Sequence, residues 1–379
     1  MQRLLHIARV VGVIAIVLLV AFAGYFGIRK AVSTLEQDRI AAFYLPPDPL
    51  PQTPGTVIRT EVIDGLVENG TAMRMLYVSQ RPDGTPAVSG ALLFIPTGPA
   101  PAGGRPVVAW AHGTIGQGDA CAPSRSGHPV KAISSWLPLM LDRGWVVVAT
   151  DYTGLGTPGP NLYLVGQAEA RDVVNSVRAA RAVPASGAGS RYAVWGHSQG
   201  GHSALWTGTL SKELAPELDL IAVAAAAPAA ELVPMIGAQW RSVVAWVIGP
   251  EVVESWPDID PTLPITIVSD EGRRNAKRLA NECISVAALE AVARSLPGRS
   301  FFAANPSTQP NWRAIAQAQT PTPLPPTLPV FIAQSTADTV VLPWTTVELQ
   351  NAWCRAGSML DALWLGHTSH MSTGLVAGP

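Results

Sequence analysis

Charge is scarce in this chain. Only 14% of its 379 residues are charged, 26 Lys or Arg against 27 Asp or Glu, for a net charge of −1. Binding a polyanion needs a basic stripe or patch, so the sequence offers no electrostatic footprint for nucleic acid. Cysteine is rarer still. Cys121, Cys283 and Cys354 stand far apart, at no spacing that suits a metal site. They leave two readings open: one disulfide with a spare thiol, as in an exported chain, or three small buried side chains. Internal repeats are lacking, and nothing asks for a cofactor or a protein partner. Glycine and proline, 34 of each, are above average but dispersed, which implies many ordered loops and not disorder. Apolar residues abound at 48%, enough for a sizeable core in one large domain or two smaller ones.

The N-terminus has its own pattern. Arg3 and Arg9 precede an uninterrupted apolar run, Val10–Ile28, closed by Arg29-Lys30. The run is longer than a usual signal-peptide core and just long enough to span a bilayer. Residues 1–30 therefore read as an uncleaved signal-anchor, as a signal peptide cleaved near Ala21-Phe22-Ala23, or as a buried core helix. Either of the first two places the body outside the cytoplasm, secreted or anchored to the membrane or cell envelope. Residues 31–55, with Pro46-Pro47-Asp48-Pro49-Leu50-Pro51, read as a stiff spacer.

From residue 56 the pattern becomes that of a sheet protein. Thr56–Ile63, Met73–Ser79 and Val88–Ile95 read as a meander, with a turn at Asp83-Gly84. Val107–Ala111 and Trp145–Thr150 are short unbroken apolar runs, suited to strands buried on both faces, and Ile133–Leu141 supplies a helix between them. Gln167–Ala182 is an amphipathic helix, and Leu220–Ala227 is an alanine-rich strand. This alternation predicts an α/β fold, a mostly parallel sheet with helices on both faces. The rhythm breaks at Glu231. Residues 231–321 read as a mainly helical insertion after the sixth core strand, placed as a lid, with an independent domain as the alternative. It carries Trp240, Trp246, Trp256 and Trp312, a strand-like run Ile265–Ser269 and a basic helix Gly272–Cys283. These tryptophans suit a lipid-facing lid or a packed cap equally. The core, 56–230, resumes over 322–379 with strand Val330–Gln334, helix Trp344–Ala356 and strand Ala362–Leu365.

One stretch organises the rest. In Arg191–Ser203 a short apolar run meets Gly196-His197-Ser198-Gln199-Gly200, and an apolar helical segment follows. Gly-x-Ser-x-Gly between strand and helix is the nucleophile elbow of α/β-hydrolases. The turn is so tight that the residues two before and two after the serine touch, and glycine fits there without a Cβ clash. The hydroxyl of Ser198 then stands at the carboxyl end of its strand. The amide of Gln199, opening the helix, points where an oxyanion would form.

A serine nucleophile needs a base held by an acid, and in this fold the order is serine, acid, histidine. Asp338 lies in the loop after Val330–Gln334, with helix capping as its plainer reading. Asp270 follows a strand-like run but falls inside the insertion. His367 and His370 both follow the last strand, and mechanics alone does not choose between them. The loop after Ala111 offers the amide of Thr114 as the second oxyanion donor, with His112 shaping that loop. His197 and His202, flanking the elbow, read as pocket lining or helix surface.

With these residues in place, the chain from about Arg74 to Gly374 resembles the secretory lipases, the family of the fungal lipase A type. The resemblance rests on Asp119-Ala120-Cys121-Ala122-Pro123-Ser124, Asp151-Tyr152-Thr153-Gly154, Tyr163–Gly166, the elbow, Ala215-Pro216-Glu217-Leu218, and Asp338 with downstream Cys354. It implies an α/β-hydrolase core with a helical lid and cofactor-free hydrolysis of acyl esters by Ser198 and Asp338. It favours His370, whose His370-Met371-Ser372-Thr373 matches the family's histidine, and it implies a Cys121–Cys283 disulfide with Cys354 free. At or next to Thr114, lipase A carries an acid where this chain does not. An acyltransferase would share the same three residues, and a non-catalytic binding protein the same fold.

Overall fold

The computed structural model describes residues 34–378 except Pro297. The chain divides into two compact units, Met1–Leu45 and Pro46–Pro379. The described part of the first is a helix at 34–40 and a 3-10 turn, Ala41–Tyr44. No helix among the described residues is long and apolar enough to cross a membrane. The run Val10–Ile28, read as an anchor or signal peptide, lies outside them.

The second unit is built on nine strands: β1 (Val57–Ile63), β2 (Gly70–Gln80), β3 (Pro86–Pro96), β4 (Arg105–Ala111), β5 (Val146–Thr150), β6 (Ala188–His197), β7 (Asp219–Ala226), β8 (Val330–Ser335) and β9 (Leu360–Leu365). They form one sheet in the order β1-β2-β3-β5-β4-β6-β7-β8-β9. The meander β1–β3 is antiparallel and joins β5 antiparallel; every pair from β5 to β9 is parallel. The unbroken apolar runs are explained by burial on both faces. Val107, Ala109 and Ala111 of β4 enter one core with Val173, Val174 and Leu205, while Val108 and Trp110 enter the other with Trp136, Leu137 and Leu141. The first core is covered by α2 (Gly166–Ala182), α3 (Gln199–Leu214) and α9 (Pro343–Arg355), the second by α1 (Leu137–Asp142).

Between β7 and β8 lie α4 (Leu232–Gln239), α5 (Ala245–Ser255), α6 (Asp270–Ala280), α7 (Ile284–Ser295) and α8 (Pro310–Ala318); α10 (His370–Ala377) follows β9. Seven strands precede this segment, so it follows the seventh strand of the sheet and not a sixth. Ile265–Ser269 is not a strand. Ile265–Ile267 is a 3-10 turn, and Val268 makes only an isolated bridge to Phe302. The basic helix begins at Asp270, capped by Ser269 Oγ on Gly272 N, and ends at Ala280 before Cys283 is reached. The helix expected over Ile133–Leu141 starts only at Leu137, with Pro138 in its first turn. Trp246, Trp256 and Trp312 are fully buried with Phe301, Phe302 and Leu263. Trp240, the fourth tryptophan of this segment, is only half-buried.

Candidate active site

Parallel strands bring the carboxyl ends of β4, β6, β8 and β9 to one edge, and the loops leaving them carry the site. Ser198 sits between β6 and α3 with φ 58° and ψ −117°, a conformation L-residues rarely adopt. The surroundings impose it. Ser198 N donates to Ala226 O at 2.9 Å, and its carbonyl accepts from Ala229 N at 3.1 Å. A Cβ on Gly196 would lie 2.0 Å from Gly200 O, and one on Gly200 would lie 1.8 Å from Ala111 O. The two glycines of the motif are thus sterically required.

Three distant segments meet at that serine. His370 Nε2 lies 2.9 Å from Ser198 Oγ, and His370 Nδ1 lies 2.7 Å from Asp338 Oδ2. Asp338 is buried after β8, and its other oxygen, Oδ1, accepts from Val340 N at 2.8 Å and Val341 N at 3.1 Å. Gln334 Nε2 adds a donor to Oδ2 at 3.2 Å. His370 opens α10, and Ser369 caps that helix through its Oγ on Ser372 N. The competing histidine is elsewhere: His367 is exposed, with φ 56°. Asp270 stands at the surface, ion-paired with Arg273.

His197 and His202 are both buried, so neither is helix surface. His197 Nε2 bonds His370 O at 2.9 Å, and the two rings pack at a tilt of 43° with centroids 4.7 Å apart. Burial, and then the neighbouring His370, push His197 down to about 3, so it is a neutral donor supporting the His370 backbone. His112 is also buried, bonding Gly113 O at 2.7 Å and Asp151 O at 3.1 Å, and burial lowers its pKa.

The loop after β4 passes directly over the serine. A Cβ on Gly113 would lie 3.0 Å from His197 O and 3.4 Å from Ser198 Cβ. Thr114 Oγ1 is tied to Tyr163 OH at 2.7 Å. Gln199 begins α3, so its backbone amide belongs to the turn whose N–H groups lack helical acceptors. The helical segment holds the same loop from the other side. Gln117 N donates to Ala280 O at 2.6 Å, Ile284 N to Ile115 O at 2.9 Å, and Gln117 Nε2 to Glu251 O at 2.9 Å and Ser255 Oγ at 3.0 Å. A disulfide joins Cys121 to Cys283, and Cys354 is an exposed free thiol.

Ser198 opens into an almost wholly apolar pocket lined by Leu232, Ile236, Trp240, Val252 and Val341 among others. Two buried acids that sequence reasoning did not single out, Glu169 and Glu251, each line a small cavity with Gln199 outside this pocket. Glu251 sits among apolar helix neighbours in sequence, and only its burial, which raises its pKa well above the usual carboxyl range, distinguishes it.

The family model described as secretory lipase matches residues 130–379. The chain belongs to the secretory lipase family. A Mycobacterium tuberculosis (strain CDC 1551 / Oshkosh) protein named "Probable inactive lipase MT1628" is 27% identical over 208 residues, 50% of this chain and 45% of that protein. The chain therefore matches less than half the length of that relative. Among solved structures, the rice cell wall degrading esterase LipA from Xanthomonas oryzae superposes with a TM-score of 0.71 at 20% identity, covering 86% of this chain and 95% of that one. Candida antarctica lipase A in its closed state superposes with a TM-score of 0.69 at 17% identity, covering 89% and 83%. At such identities the likeness is one of fold, and that fold is the α/β-hydrolase of lipases and esterases.

Proposed function

We propose that this protein is a serine hydrolase of carboxylic esters, with Ser198 as nucleophile, His370 as general base and acid, and Asp338 as the group that orients it. The observation that carries this reading is the unbroken hydrogen-bonded line from Ser198 Oγ through both ring nitrogens of His370 to Asp338 Oδ2. His370 Nε2 takes the hydroxyl proton as Oγ attacks the ester carbonyl, and the resulting oxyanion is held by the amides of Gln199 and Thr114. His370 then returns the proton to the departing alkoxide, leaving an acyl-enzyme. Water, activated by the same nitrogen, releases the acid. The apolar pocket beside Ser198 supports an acyl chain as the part of the substrate that binds. Residues 231–321 act as the cap over it, with 56–230 and 322–379 as the catalytic core.

The family's description and the Cys121–Cys283 disulfide both support a place outside the cytoplasm, where disulfides persist. Tethering by Val10–Ile28 is supported by the sequence pattern alone.

Ser198→Ala should lower turnover of p-nitrophenyl esters by roughly 10⁴–10⁶-fold without unfolding the protein. Undiminished hydrolysis by the folded variant would refute the assignment. A relative whose name calls it inactive makes the labelling test equally important. A fluorophosphonate should react with the wild type and not with the alanine variant; no labelling of the wild type would mark a binding protein on a hydrolase fold. Product analysis with added alcohol separates hydrolysis from acyl transfer.

A further inference from the structure

Behind the nucleophile helix lies a second buried histidine–carboxylate pair. Glu169, in the first turn of α2, and His202, in the first turn of α3, are both almost wholly inaccessible to solvent. His202 Nδ1 lies 2.6 Å from Glu169 Oε2, and His202 Nε2 lies 2.8 Å from the backbone oxygen of Gln319. The other carboxylate oxygen, Glu169 Oε1, accepts from the Gln199 side-chain Nε2 at 2.9 Å and from Leu164 N at 3.2 Å. The two helices meet closely enough for this because α2 starts with glycine: a Cβ on Gly166 would lie 2.2 Å from the Trp206 ring. Trp206 Nε1 donates to the same Gln319 oxygen at 2.9 Å, and Gln319 Oε1 accepts from Gly166 N at 2.9 Å.

These contacts assign the hydrogens. A carbonyl oxygen only accepts, so Nε2 of His202 carries a hydrogen, and a proton lies between Nδ1 and Glu169. Both oxygens of Glu169 are then satisfied, and one of them fixes the side chain of Gln199. Gln199 is the residue whose backbone amide follows the nucleophile.

We infer that Glu169, clamped by His202, is a positioning residue that holds Gln199 and the first turn of α3 so that the Gln199 amide faces the forming oxyanion. This role rests on the hydrolase reading above, and it goes beyond it by placing a second acid–histidine pair in service of the oxyanion donor. The physical argument is geometric. An oxyanion donor works only when its distance to the transition-state oxygen is set in advance, and the side chain of Gln199 is the lever that sets the orientation of its own peptide. Severing that lever leaves three buried polar groups without partners: Gln199 Nε2, Leu164 N and His202 Nδ1.

The test compares wild type, Glu169→Leu and Glu169→Gln, with active sites counted by end-point fluorophosphonate labelling and folding followed by thermal melting. Losing one oxyanion donor outright costs about 10²–10³-fold in kcat, so a misaligned donor should cost about 10–100-fold. Glu169→Leu should show that loss in kcat per labelled site, with KM little changed and with a parallel loss of affinity for a trifluoromethyl ketone, which forms a tetrahedral adduct. Glu169→Gln should recover most of the activity, since its oxygen can still accept from Gln199 and Leu164 while its amide donates to His202. Wild-type kcat and ketone affinity in folded, labelled Glu169→Leu would overturn the positioning role and leave the hydrolase reading standing. A failure of the glutamine variant to rescue a folded enzyme would also overturn it. Absence of labelling and turnover in the wild type would overturn the hydrolase reading and this role with it.

Discussion

Replacing Asp338 by asparagine changes one atom and, if the proposed hydrolase reading holds, should abolish most activity through a tautomer. The two oxygens of Asp338 have different duties. Oδ1 receives the backbone amides of Val340 and Val341, at 2.8 and 3.1 Å, and Oδ2 faces His370 Nδ1 at 2.7 Å, with Gln334 Nε2 at 3.2 Å. An asparagine must choose which site receives its NH₂. Placed at the Oδ1 site it meets two backbone N–H groups that cannot turn away, and leaving buried donors unpaired costs about 1–3 kcal/mol each. Placed at the Oδ2 site it opposes only the longer Gln334 bond and gains the His370 ring. The second arrangement therefore wins, and it donates to Nδ1. His370 must then carry its hydrogen on Nε2, the atom that has to take the proton from Ser198. A loss of about 10⁴-fold in kcat follows, equivalent to about 5.5 kcal/mol of transition-state stabilisation. The measurement is steady-state hydrolysis of a p-nitrophenyl ester by Asp338→Asn whose melting temperature matches the wild type. Activity within tenfold of wild type in a folded variant would refute the reasoning, because the acid would then not be setting the tautomer.

Two further perturbations test other parts of the site. His197 is held near 3 in the folded protein against 6.5 when unperturbed. Below pH 6.5 the unfolded chain therefore takes up a proton that the folded one refuses. Stability from this residue is complete above about 6.5 and is lost as pH falls towards 3, by up to about 1.4 kcal/mol per pH unit. His197→Gln, which keeps a donor for His370 O, should show a shallower acid loss in urea melts between pH 7 and 4; identical slopes would refute the neutral buried histidine. Asp151 and Asp172, each pushed up to about 6 by burial, act in the opposite sense but are shared by both proteins and cancel in the comparison. In the pocket, Ala245→Trp places an indole in the space lined by Ile236 and Val252. Palmitoyl-ester kcat/KM should fall by at least about 10-fold while acetyl-ester values stay within about twofold. Equal effects on both esters would show that the acyl chain lies elsewhere.

What could be read from the sequence was whatever short segments encode by themselves. Strands buried on both faces were visible as unbroken apolar runs, and the elbow was visible because its glycines are required within five residues. Ile265–Ser269 looked like a strand for the same reason and is not one. A strand is made by its neighbours, and Val268 finds only an isolated bridge. The choice between His367 and His370 could not be made from strand-end mechanics, since both follow β9 within five residues. It is made in three dimensions by a helix that starts at His370 and packs Gly374 on His197, where an added Cβ would lie 2.9 Å from the imidazole. The pairing of Glu169 with His202 left no trace. Glu169 and His202 are 33 residues apart on helices that each read as ordinary, and the Gln319 oxygen that completes them belongs to the end of the segment between β7 and β8.

On the proposed reading, these hidden pairings suit what an oxyanion hole would demand of its surroundings. A negative charge that forms on the substrate beside Ser198 is opposed by every uncompensated carboxylate nearby, and a buried site screens that opposition poorly. Several buried carboxylates lie in this part of the fold. Asp338 is matched to His370 and two backbone amides, and Glu169 to His202, Gln199 and Leu164 N. Asp172 receives Ser79 Oγ at 2.5 Å, Thr153 Oγ1 at 2.6 Å and Thr153 N at 2.9 Å, and Asp151 receives both the amide and the hydroxyl of Ser124. Glu251, which lines a small cavity with Gly116 and Gln199 beneath the oxyanion loop, is driven by burial towards its neutral form instead. On the proposed reading, acids matched to donors, or driven towards the neutral form as Glu251 is, would do little to oppose an oxyanion forming beside Ser198.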